Sequence, residues 1–230
     1  MKNSIFAKYG LLTVCLFSIS LMFGQTKETH KLPPFQKLDI GGGFEVFLRL
    51  GDTHEMVVVA DEKQHQRLDY EVENGTLTIG LKKGWSSANN TKLYITTVQL
   101  QEIDLSGAVN LKASNTIRGE FLNLTLSGAS QVKMPIDAEL ISVDGSGACE
   151  VALEGAVGKL KLDLSGASEI KAPLLKAKNA TIDMSGASSG YIQVLESISL
   201  ELSGASTLKM EGKAKVDYQE TTGASTFKRI

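Results

Sequence analysis

The chain has 230 residues and a formal net charge of −2, with 24 Lys and Arg against 26 Asp and Glu. That balance excludes the strongly basic footprint of a nucleic-acid binder. Hydrophobic residues make up 42% of the chain, too many for a disordered one, and the length suits one all-β unit or two smaller domains.

Residues 1–25 read as a signal peptide. Lys2 and Lys8 give a positive start, and Leu11 to Phe23 form an apolar run too short for a comfortable membrane span. Cleavage is expected near Gly24 or Gln25, leaving no transmembrane segment in the mature chain. Cys15 sits in the apolar run without a convincing lipoprotein box, so the mature chain keeps one cysteine, Cys149, and no internal disulfide.

Residues 31–100 form an irregular region. LDIGGGFEV, Leu38 to Val46, has the shape of the repeat described below, with Gly41 and Gly43 in place of its Ser and Ala. It reads as a degenerate first coil. MVVVA, Met56 to Ala60, is a short buried strand, and Asp61 can cap a one- or two-turn helix through Arg67. DYEVENGTLTIGL, Asp69 to Leu81, reads as a hairpin turning at Asn74-Gly75. A polar loop, Lys82 to Asn90, carries the only tryptophan, Trp85. A solenoid needs its open end covered, and this region is the natural cap.

From residue 101 to 230 one motif recurs. Ser-Gly-Ala or Thr-Gly-Ala places glycines at Gly107, Gly128, Gly147, Gly166, Gly186, Gly204 and Gly223, in steps of 21, 19, 19, 20, 18 and 19 residues. A fixed period of this size is the signature of a solenoid. Before each corner the chain alternates apolar, acidic, apolar, as in Leu162-Asp163-Leu164. After it, apolar Leu111, Val132, Val151, Ile170 and Leu208 are followed by Lys112, Lys133, Ala152, Lys171 and Lys209. Period two is a strand with one face in and one out. Two strands and a corner fill about half of each repeat, and segments such as Pro173 to Ala180 are expected to turn the chain back. The predicted fold is an all-β parallel β-helix of about seven coils of ~19 residues, stacked at ~4.8 Å. The corner glycine fits a position of positive φ, and the small Ala after it suggests a tight inner corner.

FQKLDIGGGFEVFL, VVVADE, ENGTLTI and the run of SGA repeats together resemble the secreted bacterial family described as "putative auto-transporter adhesin, head GIN domain". The resemblance runs from about Phe35 to the C-terminus. It implies a right-handed β-helix, export to the cell envelope and an adhesive or binding role. It carries no catalytic residues with it.

Several patterns invite a chemical reading and do not sustain it. His30, His54 and His65 lie outside the repeats and lack metal-ligand spacing, so they read as surface histidines. Asp144-Gly145-Ser146-Gly147 is one copy of the repeat, not a protease nucleophile, and Gly155 to Lys159 lacks the length and the Ser/Thr of a phosphate loop. The acidic column before the corners does not match the calcium-binding nonapeptide repeat and reads as a solvated face. No catalytic, cofactor or metal residue is assigned. The candidate binding surface is the lysine column Lys112, Lys133, Lys171, Lys209 and Lys228, with Trp85 either an exposed anchor or a cover for the end of the core.

Two function classes follow. The first is an exported, non-catalytic envelope or surface protein that binds a glycan, a polymer or a protein, in the periplasm, on the outer surface or outside the cell. The second is a polysaccharide-active enzyme, by analogy of fold alone. Uniform coils favour the first, because an active site would break the repeat. Cys149 occupies a column with Val109, Ser130, Ser168, Ser188, Ser206 and Ser225, whose parity points inward, so it is expected to be buried and inert.

Overall fold

The computed structural model describes residues 24–84 and 90–230. The expected signal peptide, apart from its last two residues, and Trp85 lie outside the described residues.

The N-terminal region contains β1 (Thr26–Lys31), β2 (Lys37–Gly42), β3 (Glu45–Leu50), β4 (Glu55–Ala60), α1 (Glu62–Arg67), β5 (Leu68–Glu73), β6 (Thr76–Leu81) and β7 (Lys92–Thr97). The repeats supply β8 (Glu102–Gly107), β9 (Asn110–Ala113), β10 (Ile117–Leu126), β11 (Gln131–Gly145), β12 (Glu150–Leu164), β13 (Glu169–Met184), β14 (Ser189–Leu202), β15 (Thr207–Glu211), β16 (Lys215–Thr221) and β17 (Thr226–Arg229). All belong to one continuous β-solenoid of about seven turns.

Local sequence dictates the N-terminal elements. Asn74 and Gly75 both take positive φ, 50° and 75°, as a two-residue hairpin turn between β5 and β6 requires. The Asp61 side chain accepts a hydrogen bond from the Gln64 amide at 2.8 Å and so caps α1. The LDIGGGFEV segment does form a coil, with Gly42 in register with Gly107.

The order of layers departs from chain order. Leu38 of β2 pairs with Leu77 of β6 on one side and Ile103 of β8 on the other. Val46 of β3 lies likewise between Leu93 of β7 and Leu111 of β9. Strands β6 and β7 therefore stack outside the first coil, and the chain crosses back to begin the repeats. Pairing then turns antiparallel: β5 closes β6, β4 closes β7, and β1 closes β4. The outermost strand reads TKETHK and is largely exposed, a charged edge that discourages further pairing.

In the regular part, each residue pairs with its equivalent one coil away, as in Leu162↔Ile182 and Asp163↔Asp183. The return segments turn the chain back as bulged strand. β11 to β14 run 14 to 16 residues, and Pro173–Ala180 lies inside β13 as hydrogen-bonded strand. Bulges absorb the bends, with register shifts between Ala152 and Glu154 and between Ala172 and Lys176. Strand pairing satisfies backbone groups that a loop would leave open.

The corners hold the coils together. Gly166 sits at φ 73°, and a Cβ built on it would lie 2.5 Å from the carbonyl oxygen of Gly147. That oxygen accepts a 2.7 Å hydrogen bond from the Ala167 amide. The same contact recurs at all seven corners, so the position requires glycine for space as well as for conformation. The alanines are a correction to the sequence reading. Ala129, Ala148, Ala167, Ala187 and Ala205 are exposed, because the glycine makes the turn and the alanine Cβ points to solvent.

Behind each corner runs a buried hydroxyl ladder. Ser130, Ser168, Ser188 and Ser206 donate to the carbonyls of Ser127, Ser165, Ser185 and Ser203 at 2.8–3.0 Å. Cys149 continues the ladder, 2% exposed, its thiol 3.0 Å from the Ser146 carbonyl. Two interior glycines mark local crowding: a Cβ on Gly145 would meet Leu164 at 2.7 Å, and one on Gly190 would meet Leu208 at 2.8 Å. On β16 Gln219 and Thr221 stand where β14 has Leu200 and Leu202, so the apolar column gives way to polar residues there.

Gly166→Val is expected to destabilise the protein by at least about 2 kcal/mol in urea unfolding, from left-handed backbone strain plus the clash with Gly147. Asp163→Ser, on the outer face, should change stability by less than ~0.5 kcal/mol. Equal effects would show that the corner contact is not limiting.

Cys149→Ser should melt within ~1 kcal/mol of the native chain, since a hydroxyl can make the same bond as in the neighbouring coils. The native Cys149 thiol should resist a thiol reagent until the protein unfolds. Rapid labelling would contradict its burial.

Candidate binding face

Outward residues one position beyond the inward column Leu111, Val132, Val151, Ile170 and Leu208 fall into one line. The register runs Lys112↔Lys133↔Ala152↔Lys171↔Tyr191↔Lys209↔Lys228. The sequence-predicted lysines are thus brought onto one strip, one per ~4.8 Å of rod, interrupted at Ala152 and Tyr191. At its N-terminal end the strip continues through Phe47 to Tyr94. Their rings stack at 4.8 Å with an interplanar angle of 13°, and Tyr94 is 41% exposed. Sequence reasoning missed this pair because its members come from two layers whose spatial order differs from chain order. The break at Tyr191 was visible in the repeat alignment as an aromatic in a lysine column.

The strip is less cationic than its lysines suggest. Lys171 Nζ lies 2.9 Å from Glu150 and 3.0 Å from Glu169, and these contacts raise its pKa. Lys112 and Lys92 both approach Glu45, at 3.7 and 3.4 Å. Lys133, Lys209 and Lys228 form no ion pair with described residues. The Tyr191 hydroxyl donates to the Glu211 carboxylate, which orients the ring and raises the phenol's pKa. Two open grooves flank Lys171 and Pro173: one of about 210 Å³ over Ala152, the other of about 490 Å³ beside Tyr191.

The acidic column lies on the strand before the corners, in the line Asp39, Asp104, Thr125, Asp144, Asp163, Asp183, Glu201, Glu220. Its carboxylates are mostly exposed. Partial burial raises the pKa of Asp104, with Asp39 and Glu102 adding to the shift. The described residues hold no group of three or more His, Cys, Asp or Glu placed to bind a metal. The histidines brace the cap instead. His30 meets the Tyr70 hydroxyl at 2.9 Å, His54 meets Thr97 Oγ1 at 3.2 Å, and His65 lies 3.5 Å from Glu28. They are therefore less superficial than the sequence suggests: the His65 side chain is only 7% exposed.

Comparison with known proteins agrees with this architecture. The sequence model of the family "Putative auto-transporter adhesin, head GIN domain" matches residues 34–214. A "putative adhesin" from Bacteroides fragilis shares the fold at TM-score 0.83 and 20% identity, over 90% of this chain and 97% of that one. A "putative lipid binding protein" from Parabacteroides distasonis aligns at TM-score 0.71 and 17% identity, over 90% and 97%. A "putative adhesin" from the same species aligns at TM-score 0.71 and 15% identity, with the same coverage. No curated protein matches the chain by sequence. Among the described residues, no helix is long and apolar enough to cross a membrane.

The raised pKa of Asp104 has a defined consequence for stability. The folded state holds this proton more tightly than the unfolded chain, so stability falls as pH rises from the usual carboxylate range through the raised value. Asp104→Asn should therefore raise the melting temperature near pH 7, with the gain vanishing near pH 3, where both states are protonated. A loss of stability at neutral pH would mean that the Asp104 carboxylate is favoured by the fold.

Proposed function

The chain belongs to the family "Putative auto-transporter adhesin, head GIN domain", and from that premise we propose that it is an exported, non-catalytic binding protein of the cell envelope. Its ligand is an extended, multivalent partner, a glycan or a protein, held along the Tyr94–Lys228 strip. One observation carries this reading: strand register places an outward residue from each successive coil in a single line. Such a line offers weak, repeated contacts to a polymer, and avidity turns these into affinity. Catalysis asks for the reverse, a few unlike groups converging on one point with shifted pKa values. The shifted groups each answer to an immediate neighbour, as Lys171 does to Glu150 and Glu169, Tyr191 to Glu211, and Lys215 to Asp217.

Replacing Lys112, Lys133, Lys171, Lys209 and Lys228 together by Gln should weaken adhesion of the purified chain to whole bacterial cells by about 10-fold or more, as expected when several linked contacts are lost together. The melting temperature should stay near that of the native protein, because all five side chains lie on the outer face. Unchanged adhesion would remove the strip from the binding face. Turnover of a polysaccharide by the purified protein, abolished by a single Asp substitution, would establish the enzyme reading instead.

A further inference from the structure

The lysine line is broken where the surface is most sculpted. Between β13 and β14 the pairing jumps from Ala172↔Ile192 to Lys176↔Gln193, so Pro173, Leu174 and Leu175 have no partners on β14. Leu175 turns into the core and Leu174 stands out from the sheet, 68% exposed, with Pro173 before it. Pro173 lines the groove of about 490 Å³, which contains Tyr191, Lys171, Lys209, Glu169 and Ser189 as well. The groove is built from fixed parts. Glu211 holds the Tyr191 hydroxyl, and Glu150 and Glu169 hold the Lys171 ammonium.

Charge selects the occupant. The Lys171 ammonium is held by Glu150 and Glu169, and Lys209, which forms no ion pair with described residues, is the groove's one uncompensated charge, so neither a polyanion nor a polycation finds a matching field. A hydroxyl-rich neutral molecule does. Its hydroxyls can donate to the Glu169 carboxylate and accept from Lys209, while Ser189 can do either. Its apolar C–H face can lie on the Tyr191 ring and Pro173, in the usual mixture of an apolar surface with a few placed polar groups. A pyranose has both faces. The smaller groove over Ala152 shares Lys171 and Pro173 and lies about two coils, or ~10 Å, away along the rod.

We propose that the groove beside Tyr191 is a subsite for a neutral pyranose unit of a polysaccharide lying along the strip, with the notch over Ala152 receiving a second unit of the same chain. This rests on the reading of the strip as the binding face and adds the chemical class of the ligand.

Affinity electrophoresis of the full chain tests it, with mannan, β-1,3-glucan and β-1,4-xylan as neutral probes and dextran sulfate as the anionic one. At least one neutral polymer should retard the protein, and the retardation should persist at about 0.5 M salt, where exposed charge interactions are screened. Tyr191→Ala should weaken that retardation about 10-fold, and Tyr191→Phe, which keeps the ring, should retain most of it. If Tyr191→Ala fails to fold, Ser189→Leu, which crowds the groove and leaves Tyr191 in place, should give the same loss. Retardation by dextran sulfate alone, lost in salt and indifferent to Tyr191, would overturn the subsite and leave the strip standing. So would adhesion to cells with no polysaccharide retarding the chain, which would place a protein partner on the strip. Loss of the subsite with the strip intact is thus separable from failure of the five-lysine test.

Discussion

Everything in this molecule depends on a backbone contact at the corners. The carbonyl of each corner glycine meets the amide of the alanine one coil on at 2.7 Å. The next glycine passes so close that a Cβ would fall 2.5 Å from the same oxygen. No other residue type fits, so the corners stack directly over one another. Direct stacking fixes the register of the strands on both sides. Fixed register then turns sequence columns into lines of equivalent side chains, inward for the core and outward for the surface. The line of outward side chains is a downstream result of a steric rule at the glycine.

The repeat architecture was legible because side-chain alternation and glycine spacing are both local. Leu162-Asp163-Leu164 declares its two faces within three residues, and Asn74-Gly75 declares its turn within two. The layer order was not legible. Nothing in TLTIGL or KLYITT says on which side of LDIGGGFEV they stack, since all are parallel strands with the same alternation. That the return segment is strand was not legible either: Pro173 gives no strand signal when taken alone, yet from Leu174 on the backbone pairs with β12, and from Lys176 on with β14 as well. The exposure of the corner alanines was hidden too, since a small residue fits either side of a turn and only the backbone path decides.

The candidate face divides in the same way. Its lysines could be read from one column, because equal positions in equal repeats must align. Phe47 and Tyr94 could not, since they meet only through the displaced layer. The groove beside Tyr191 left a trace in the spacing: the step from Gly166 to Gly186 is 20 residues where most are near 19. An added residue in a solenoid must leave the pairing somewhere: against β12 it does so at Ala172–Pro173, against the shorter β14 the gap widens to Pro173–Leu175, and Pro173 lines the groove.

Inside and outside answer to different constraints, and this bears on how such a protein acquires a ligand. Stability in a solenoid is close to a sum of repeat and nearest-neighbour terms. Those terms reside in the corner glycines, the Ser130–Ser206 hydroxyl ladder and the apolar columns, all turned away from the strip. Outward positions contribute little to that sum, so Lys133, Ala152, Lys171 and Tyr191 can differ from coil to coil at small cost. A single substitution there would alter one contact with the proposed extended ligand, and the same substitution on every coil would alter all of them in step. The break in the lysine line at Ala152 and Tyr191, set against the near-invariant corner behind it, is what a surface free to specialise on a rigid frame would show.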